Sequence, residues 1–126
     1  MKLEYLAEGS RDCPLLRLYG FDLSDAQRLR EAFRTLATGA RKELSLHEEW
    51  WIHPVEDCRL ELHTGVRDLG VVERAPLLFD CVLTREGWQE MTEKVDPFCR
   101  SEDGDGFQWL NHDGEVSLLL SPNGQW

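Results

Sequence analysis

The chain has 126 residues, of which 41% are apolar and 30% charged, as in a typical globular domain. Its 14 basic and 24 acidic residues give a net charge of −10, which disfavours binding to nucleic acid or anionic lipid. No apolar run approaches the roughly 20 residues needed to cross a bilayer, and no secretory signal is visible. We therefore expect one cytoplasmic domain over residues 1–126, with no membrane or nucleic-acid partner.

The first elements that the sequence predicts are a strand and an amphipathic helix. Residues 14–19 read as a strand that ends at Gly20. Ser24, followed by Gln27 three residues later, matches the capping box that begins a helix, and Gly39 fits the helix end. The apolar residues between these signals recur at helical spacing: Ala26, Leu29, Phe33, Leu36 and Ala37.

Residues 44–63 predict a β-hairpin. Apolar and polar residues alternate from Leu44, the first strand continues through residues 50–53, and residues 58–63 form the second strand. A turn centred on residues 55 and 56 would place Trp51 opposite Leu60. The face predicted to pack under the helices is then Trp51, His53, Cys58, Leu60 and Leu62.

The opposite face of this hairpin is the candidate binding surface. Two large apolar side chains would stand there among charges of both signs, which is typical of a recognition surface. Adjacent strand residues point to opposite faces, so one tryptophan of the Trp50–Trp51 pair should leave the core. The predicted surface residues are Glu48, Trp50, Ile52, Arg59, Glu61 and His63.

The second half of the chain predicts two more strands, a helix and a final hairpin. The strands cover residues 68–73 and 77–83, and Thr84 caps a helix that Pro97 ends. The inner face of that helix is Trp88, Met91, Thr92 and Val95. Residues 101–106 read as an exposed loop. Residues 107–110 and 115–120 form the hairpin, with Asp113–Gly114 supplying a type I′ turn.

The order of these elements predicts an α+β fold. We expect an antiparallel or mixed sheet with two helices on one face, in an elaborated ferredoxin-like βαββ(β)αββ arrangement. This likeness is architectural, and no family is identified from it.

The residues that carry reactive chemistry form no known motif. The four cysteines, Cys13, Cys58, Cys81 and Cys99, are widely spaced and should be free thiols. His47, His53, Cys58 and His63 are types that bind zinc, but their spacing matches no zinc site and the hairpin register separates them. No phosphate loop or nucleophile elbow occurs. We therefore predict neither a metal nor a cofactor.

Two functions remain open from the sequence. The first is a non-catalytic, acidic interaction module, such as an adaptor, a subunit or an inhibitor or immunity-type protein, that binds a protein partner or forms a homodimer. The alternative is a small enzyme or ligand-binding domain with its site on an open sheet face around Glu48, Arg59, Glu61 and His63. A deep pocket over these residues would favour the alternative, whereas a flat or convex surface would favour the interaction module.

Overall fold

The structure, a computed structural model, describes residues 1–100 and 106–126. In these ranges the chain is α+β, with two α-helices and nine strands in two mixed sheets. The predicted loop at 101–106 lies outside the described residues except for Gly106. The helices are α1 (Leu23–Ala37) and α2 (Arg85–Val95). The strands are β1 (Lys2–Leu6), β2 (Leu15–Tyr19), β3 (Glu43–Ser45), β4 (His53–Pro54), β5 (Arg59–Thr64), β6 (Gly70–Ala75), β7 (Leu78–Leu83), β8 (Gln108–Asn111) and β9 (Ser117–Ser121).

The first sheet has the order β4-β1-β2-β9-β8. β1 and β2 form an antiparallel hairpin, and β2 runs parallel to β9, with Leu16 opposite Leu118. The predicted hairpin of β8 and β9 is confirmed, but its turn differs from the prediction. Neither Asp113 nor Gly114 has a positive φ, so the turn is not type I′. Instead, Asn111 Oδ1 accepts a hydrogen bond from the Asp113 amide at 2.9 Å.

The second sheet has the order β3-β5-β7-β6. β5 runs parallel to β7, with Leu60 opposite Phe79, while β3 and β6 are antiparallel edge strands. Strands were therefore predicted correctly at β2, β5 and β7, whereas β1 was missed and β6 begins two residues later than expected. The single sheet expected from the sequence is two sheets in the structure.

The order of elements repeats once along the chain. Apart from the two-residue β4, a hairpin, a helix and two further strands (β1, β2, α1, β3, β5) are followed by the same series (β6, β7, α2, β8, β9). Each half contributes its first hairpin to one sheet and its last two strands to the other. Both central pairings, β2 with β9 and β5 with β7, are parallel and join the two halves. Neither half can thus complete a sheet without the other.

Helix α1 begins two residues earlier than the sequence predicted. Its N-cap is Asp22, whose carboxylate accepts from the Asp25 amide at 2.9 Å, while the Asp25 carboxylate accepts from the Asp22 amide at 3.4 Å. The capping box predicted at Ser24 is therefore wrong, because aspartate at both box positions satisfies the free amide groups first. Gly39 follows the helix with a φ of +81°, as the predicted helix end requires.

Both helices pack into one continuous core with the inner faces of the sheets. Phe33 of α1 and Trp88 of α2 meet with ring centroids 5.4 Å apart. The predicted N-cap of α2 is confirmed, since Thr84 Oγ1 accepts from the Gly87 amide at 3.0 Å. All four residues predicted for the inner face of α2 are buried.

Candidate protein-binding surface

Of the hairpin predicted for residues 44–63, only the residues farthest from its turn are paired. Glu43 to Ser45 pair with β5, with Leu44 opposite Leu62, so the predicted register is wrong. Between these strands, residues 46–58 leave the second sheet, and His53 and Pro54 pair with β1 of the first sheet. The His53 amide donates to the Met1 carbonyl at 2.8 Å. The segment gains these backbone hydrogen bonds by joining another sheet rather than extending β3.

A tight turn inside this segment decides which tryptophan is exposed. The Glu49 amide donates to the Leu46 carbonyl at 3.1 Å, and the Ile52 amide donates to the Glu49 carbonyl at 3.0 Å. Trp50 lies at the outside of this turn and is 74% exposed, whereas Trp51 is 5% exposed. One tryptophan of the pair leaves the core as predicted, although a turn rather than strand alternation separates the two.

The six predicted surface residues do not form one surface. Ile52 is only 4% exposed, because the turn directs two consecutive side chains inward, and its placement on the outer face is wrong. His53, predicted to be inside, is exposed. Glu48 and Glu61 line one depression near Trp50, while His63 lies further along β5. Arg59 is exposed at the opposite end of the same strand.

Helix α1 supplies a partner for Trp50. The Arg28 guanidinium lies 4.6 Å from the centroid of the Trp50 ring, within the range of a cation–π interaction. Arg28 also donates to the Asp25 carboxylate at 3.3 Å. The indole therefore stands against one helix while most of its surface faces solvent. The sequence did not place Arg28 beside Trp50, since this contact joins segments that are 22 positions apart along the chain.

Two shallow depressions adjoin at Trp50. Arg41, Leu44 and Glu49 line both of them. One also contains Arg28 and Trp50, and the other contains three further glutamates: Glu43, Glu48 and Glu61. We call the combined area the Trp50 surface, defined by Arg28, Arg41, Glu43, Glu48, Glu49, Trp50 and Glu61. In the part of the chain that the structure describes, the Glu48 and Glu49 carboxylates form no salt bridge or side-chain hydrogen bond.

A polar network borders this surface on the outer face of the second sheet. Ser45 Oγ donates to the Glu61 carboxylate at 2.5 Å, and the Leu60 amide donates to Nδ1 of His47 at 3.1 Å. That bond leaves Nε2 of His47 to carry the proton, 3.9 Å from Glu61. Ser45 is thus bonded to a carboxylate and not to histidine, so these residues do not form the serine–histidine pair of an activated nucleophile.

A second polar group lies beside it on β5, β6 and β7. Nε2 of His63 is 3.1 Å from the Asp80 carboxylate, which also accepts from Nε of Arg74 at 2.7 Å. Nδ1 of His63 lies 3.7 Å from Glu43. The Asp80 carboxylate is therefore shared between a histidine and an arginine, and these contacts fix its position on the sheet.

The residues considered for zinc are placed in different surroundings. His47 is engaged with the backbone of β5, His53 is exposed at the edge of the first sheet, and His63 contacts Asp80. Cys58 is buried, and burial raises the pKa of its thiol to about 12. In residues 1–100 and 106–126 no three histidine, cysteine or acidic side chains converge on a possible metal position.

Comparisons of the chain with protein-family models, with curated proteins and with solved structures gave no match. Neither helix of the described ranges is long and apolar enough to cross a membrane.

Proposed function

We propose that this chain is a non-catalytic interaction module that binds a protein partner through the Trp50 surface. The observation that carries the proposal is the 74% exposure of Trp50, against a guanidinium that holds it in place. Tryptophan and arginine are the residue types most enriched at binding hot spots. A large aromatic ring held outside the core costs solvation free energy that a partner would recover by covering it.

The charge of the Trp50 surface indicates a basic partner. Four glutamates surround the acidic depression and Arg41 is the one cation among its lining residues. The whole chain carries a net charge of −10, so its field attracts a cationic protein at long range. We therefore expect the occupant to be a segment that places an apolar side chain on Trp50 and lysine or arginine beside Glu48 and Glu49.

The alternative function is a small-molecule site on the open face of the second sheet. The two polar groups around Glu61 and His63 favour it, because each is fixed by hydrogen bonds before any ligand arrives. The depression beside them is shallow and strongly acidic, which supports a protein partner more than an enclosed substrate. Native mass spectrometry distinguishes the two: a small molecule retained by the wild-type protein and lost in Glu61→Gln would support the alternative.

Affinity capture from the native lysate tests the proposed function. We expect a protein that is retained by the wild-type chain and by Val66→Ala but lost with Trp50→Ala. Val66 is a suitable control because it is 94% exposed and lies outside the Trp50 surface. Titration of that protein with purified chain should then show affinity that falls as salt rises. A captured set that is unchanged by Trp50→Ala would contradict the proposal.

The acidic depression has its own matched test. Glu48→Gln and Glu49→Gln should slow association with the captured protein, because rim charges act mainly on the association rate. Glu8→Gln makes the same change of charge in an exposed loop away from the Trp50 surface. Equal effects of all three substitutions would mean that only net charge matters and that the depression does not bind the partner.

Three finer expectations also remain proposals. They are a single cytoplasmic domain, an elaborated ferredoxin-like arrangement with both helices on one face, and a homodimer in which a second copy of the chain is the partner. Sedimentation of the purified chain tests the last of these.

A further inference from the structure

Strand β6 is the longest edge strand of the two sheets in the described ranges. It has six residues, whereas the edge strands β4, β3 and β8 have two, three and four. An edge strand presents unpaired backbone N–H and C=O groups, and such a row can pair with a strand of another molecule. The groups that cover the outer side of β6 therefore decide whether this edge is open to a second chain.

The two halves of the chain cover their first strands in the same way. β1 and β6 hold equivalent places in the repeat, since each begins the hairpin of its half. In the first half, the segment at residues 46–58 places β4 beside β1. In the second half, the shorter segment at residues 112–116 reaches β6, where the Val116 amide donates to the Val71 carbonyl at 3.2 Å. The connection within each half thus covers the edge of the hairpin of that half.

The shorter connection covers less of its edge, and a side chain takes the next position. Beyond the bridge at Val71, no strand pairs with the outer side of β6 in residues 1–100 and 106–126. Alternate residues of an antiparallel strand direct their backbone groups to the same side, so the next outward amide is that of Glu73. This amide donates to the Glu115 carboxylate at 3.1 Å. A side-chain acceptor therefore occupies the donor that a neighbouring strand would use.

The position of Glu115 in the chain supports this role. Glu115 immediately precedes Val116, whose backbone is already fixed against β6, so little further ordering is needed for its carboxylate to reach the edge. The Glu73 carboxylate is engaged elsewhere, because it accepts from the Leu77 amide at 3.3 Å. Both glutamates are exposed, so their contact adds little to the core and acts mainly at the edge of the sheet.

We propose that the outer edge of β6 is a latent pairing surface for a second copy of this chain, and that the Glu115 carboxylate blocks it. Without this carboxylate, the Glu73 amide is free to donate to β6 of another copy, as in other cases of strand addition to an open edge. Two copies of one edge pair antiparallel about a two-fold axis, which makes the contact self-complementary. Glu73 and Glu115 line neither depression of the Trp50 surface, so the edge and that surface can be tested separately.

Sedimentation velocity over a range of protein concentrations compares the wild-type chain with Glu115→Ala and Glu115→Gln. Alanine removes the acceptor, whereas glutamine removes the same charge but keeps an amide oxygen that can accept from the Glu73 amide. We expect Glu115→Ala to associate at concentrations at least about tenfold lower than the wild-type chain, as the release of one hydrogen-bond donor implies. Glu115→Gln should sediment as the wild-type chain does. Urea melts establish that both variants are folded, which is expected because Glu115 is exposed.

Hydrogen exchange locates the contact between the two copies. In Glu115→Ala the Glu73 amide should exchange rapidly at low protein concentration and slowly at high concentration, because pairing with another strand protects it. The proposal is overturned if folded Glu115→Ala associates no more than the wild-type chain, or if it associates without protection of this amide. Equal association of Glu115→Ala and Glu115→Gln also overturns it, since the lost charge and not the lost acceptor would then be responsible.

Discussion

Truncating one or the other of two adjacent tryptophans should separate binding from folding. With 74% of Trp50 exposed, about a quarter of its surface is covered, or roughly 50 Å² of about 200 Å². At about 25 cal/mol per Å² that area contributes about 1.3 kcal/mol, and the Arg28 stack adds about 0.5–1 kcal/mol. Trp50→Ala should therefore lower the free energy of unfolding by at most about 2 kcal/mol, since area estimates of this kind are upper bounds.

The neighbouring residue provides the matched control. Trp51 is 5% exposed, so Trp51→Ala should cost about 3–5 kcal/mol through a cavity that the core cannot fill. Leu60 is fully buried, so Leu60→Ala should lower the free energy of unfolding by about 2–5 kcal/mol. Urea melts of the three variants measure these losses, and binding of the captured partner is measured beside them.

The relative stability losses of Trp50→Ala and Trp51→Ala, compared with partner binding, decide whether Trp50 belongs to the binding surface or to the core. Trp50→Ala should bind the partner at least about 2 kcal/mol more weakly while remaining folded. If Trp50→Ala destabilises the chain as much as Trp51→Ala does, Trp50 belongs to the core. If its stability loss is small and partner binding is also unchanged, the Trp50 surface does not bind the partner.

Three further predictions concern the rest of the molecule. A thiol assay of the unfolded protein should count four free cysteines. In the folded protein the half-buried Cys13 should react with iodoacetamide well before Cys58, because burial raises the pKa of the Cys58 thiol to about 12. Arg30 donates to the Asp96 carboxylate at 2.7 Å, and this bond lowers the pKa of Asp96 below its ordinary value of about 4. The ion pair therefore stabilises the fold above the ordinary pKa, and this stabilisation is lost as the pH falls through the lower pKa of the folded state. Melts should therefore show Asp96→Asn less stable than wild type near neutral pH and equal to it in strong acid; a constant difference would contradict this. Gly70→Ala should lower the free energy of unfolding by about 1–3 kcal/mol or more, as measured in a urea melt. The φ of Gly70 is +73°, and an alanine Cβ there would lie 2.2 Å from the backbone nitrogen of Gly114 in the β8–β9 turn. An unchanged midpoint of the melt would refute this close approach.

Local patterns in the sequence were sufficient to predict the helices and several strands. The apolar spacing from Ala26 to Leu36 predicted the buried face of α1, and Thr84 marked the start of α2. Alternation over residues 58–63 predicted β5. These signals succeed because a helix or strand repeats at a short, fixed period, and burial of one face needs only that period. The exposure of one residue in the Trp50–Trp51 pair was also predicted, although a turn and not strand alternation produces it.

The pairing of strands was decided by the tertiary structure alone. The central pairs β2–β9 and β5–β7 are parallel, so their members lie far apart in the sequence or are separated by another strand. The segment at residues 46–58 joins the first sheet because β1 offers it hydrogen bonds there, which no pattern within the segment indicates. For the same reason the contact of Arg28 with Trp50 could not be predicted from the sequence. It depends on segments that meet only after the chain has packed on a common core, and the free energy of that packing belongs to the whole chain rather than to any one segment.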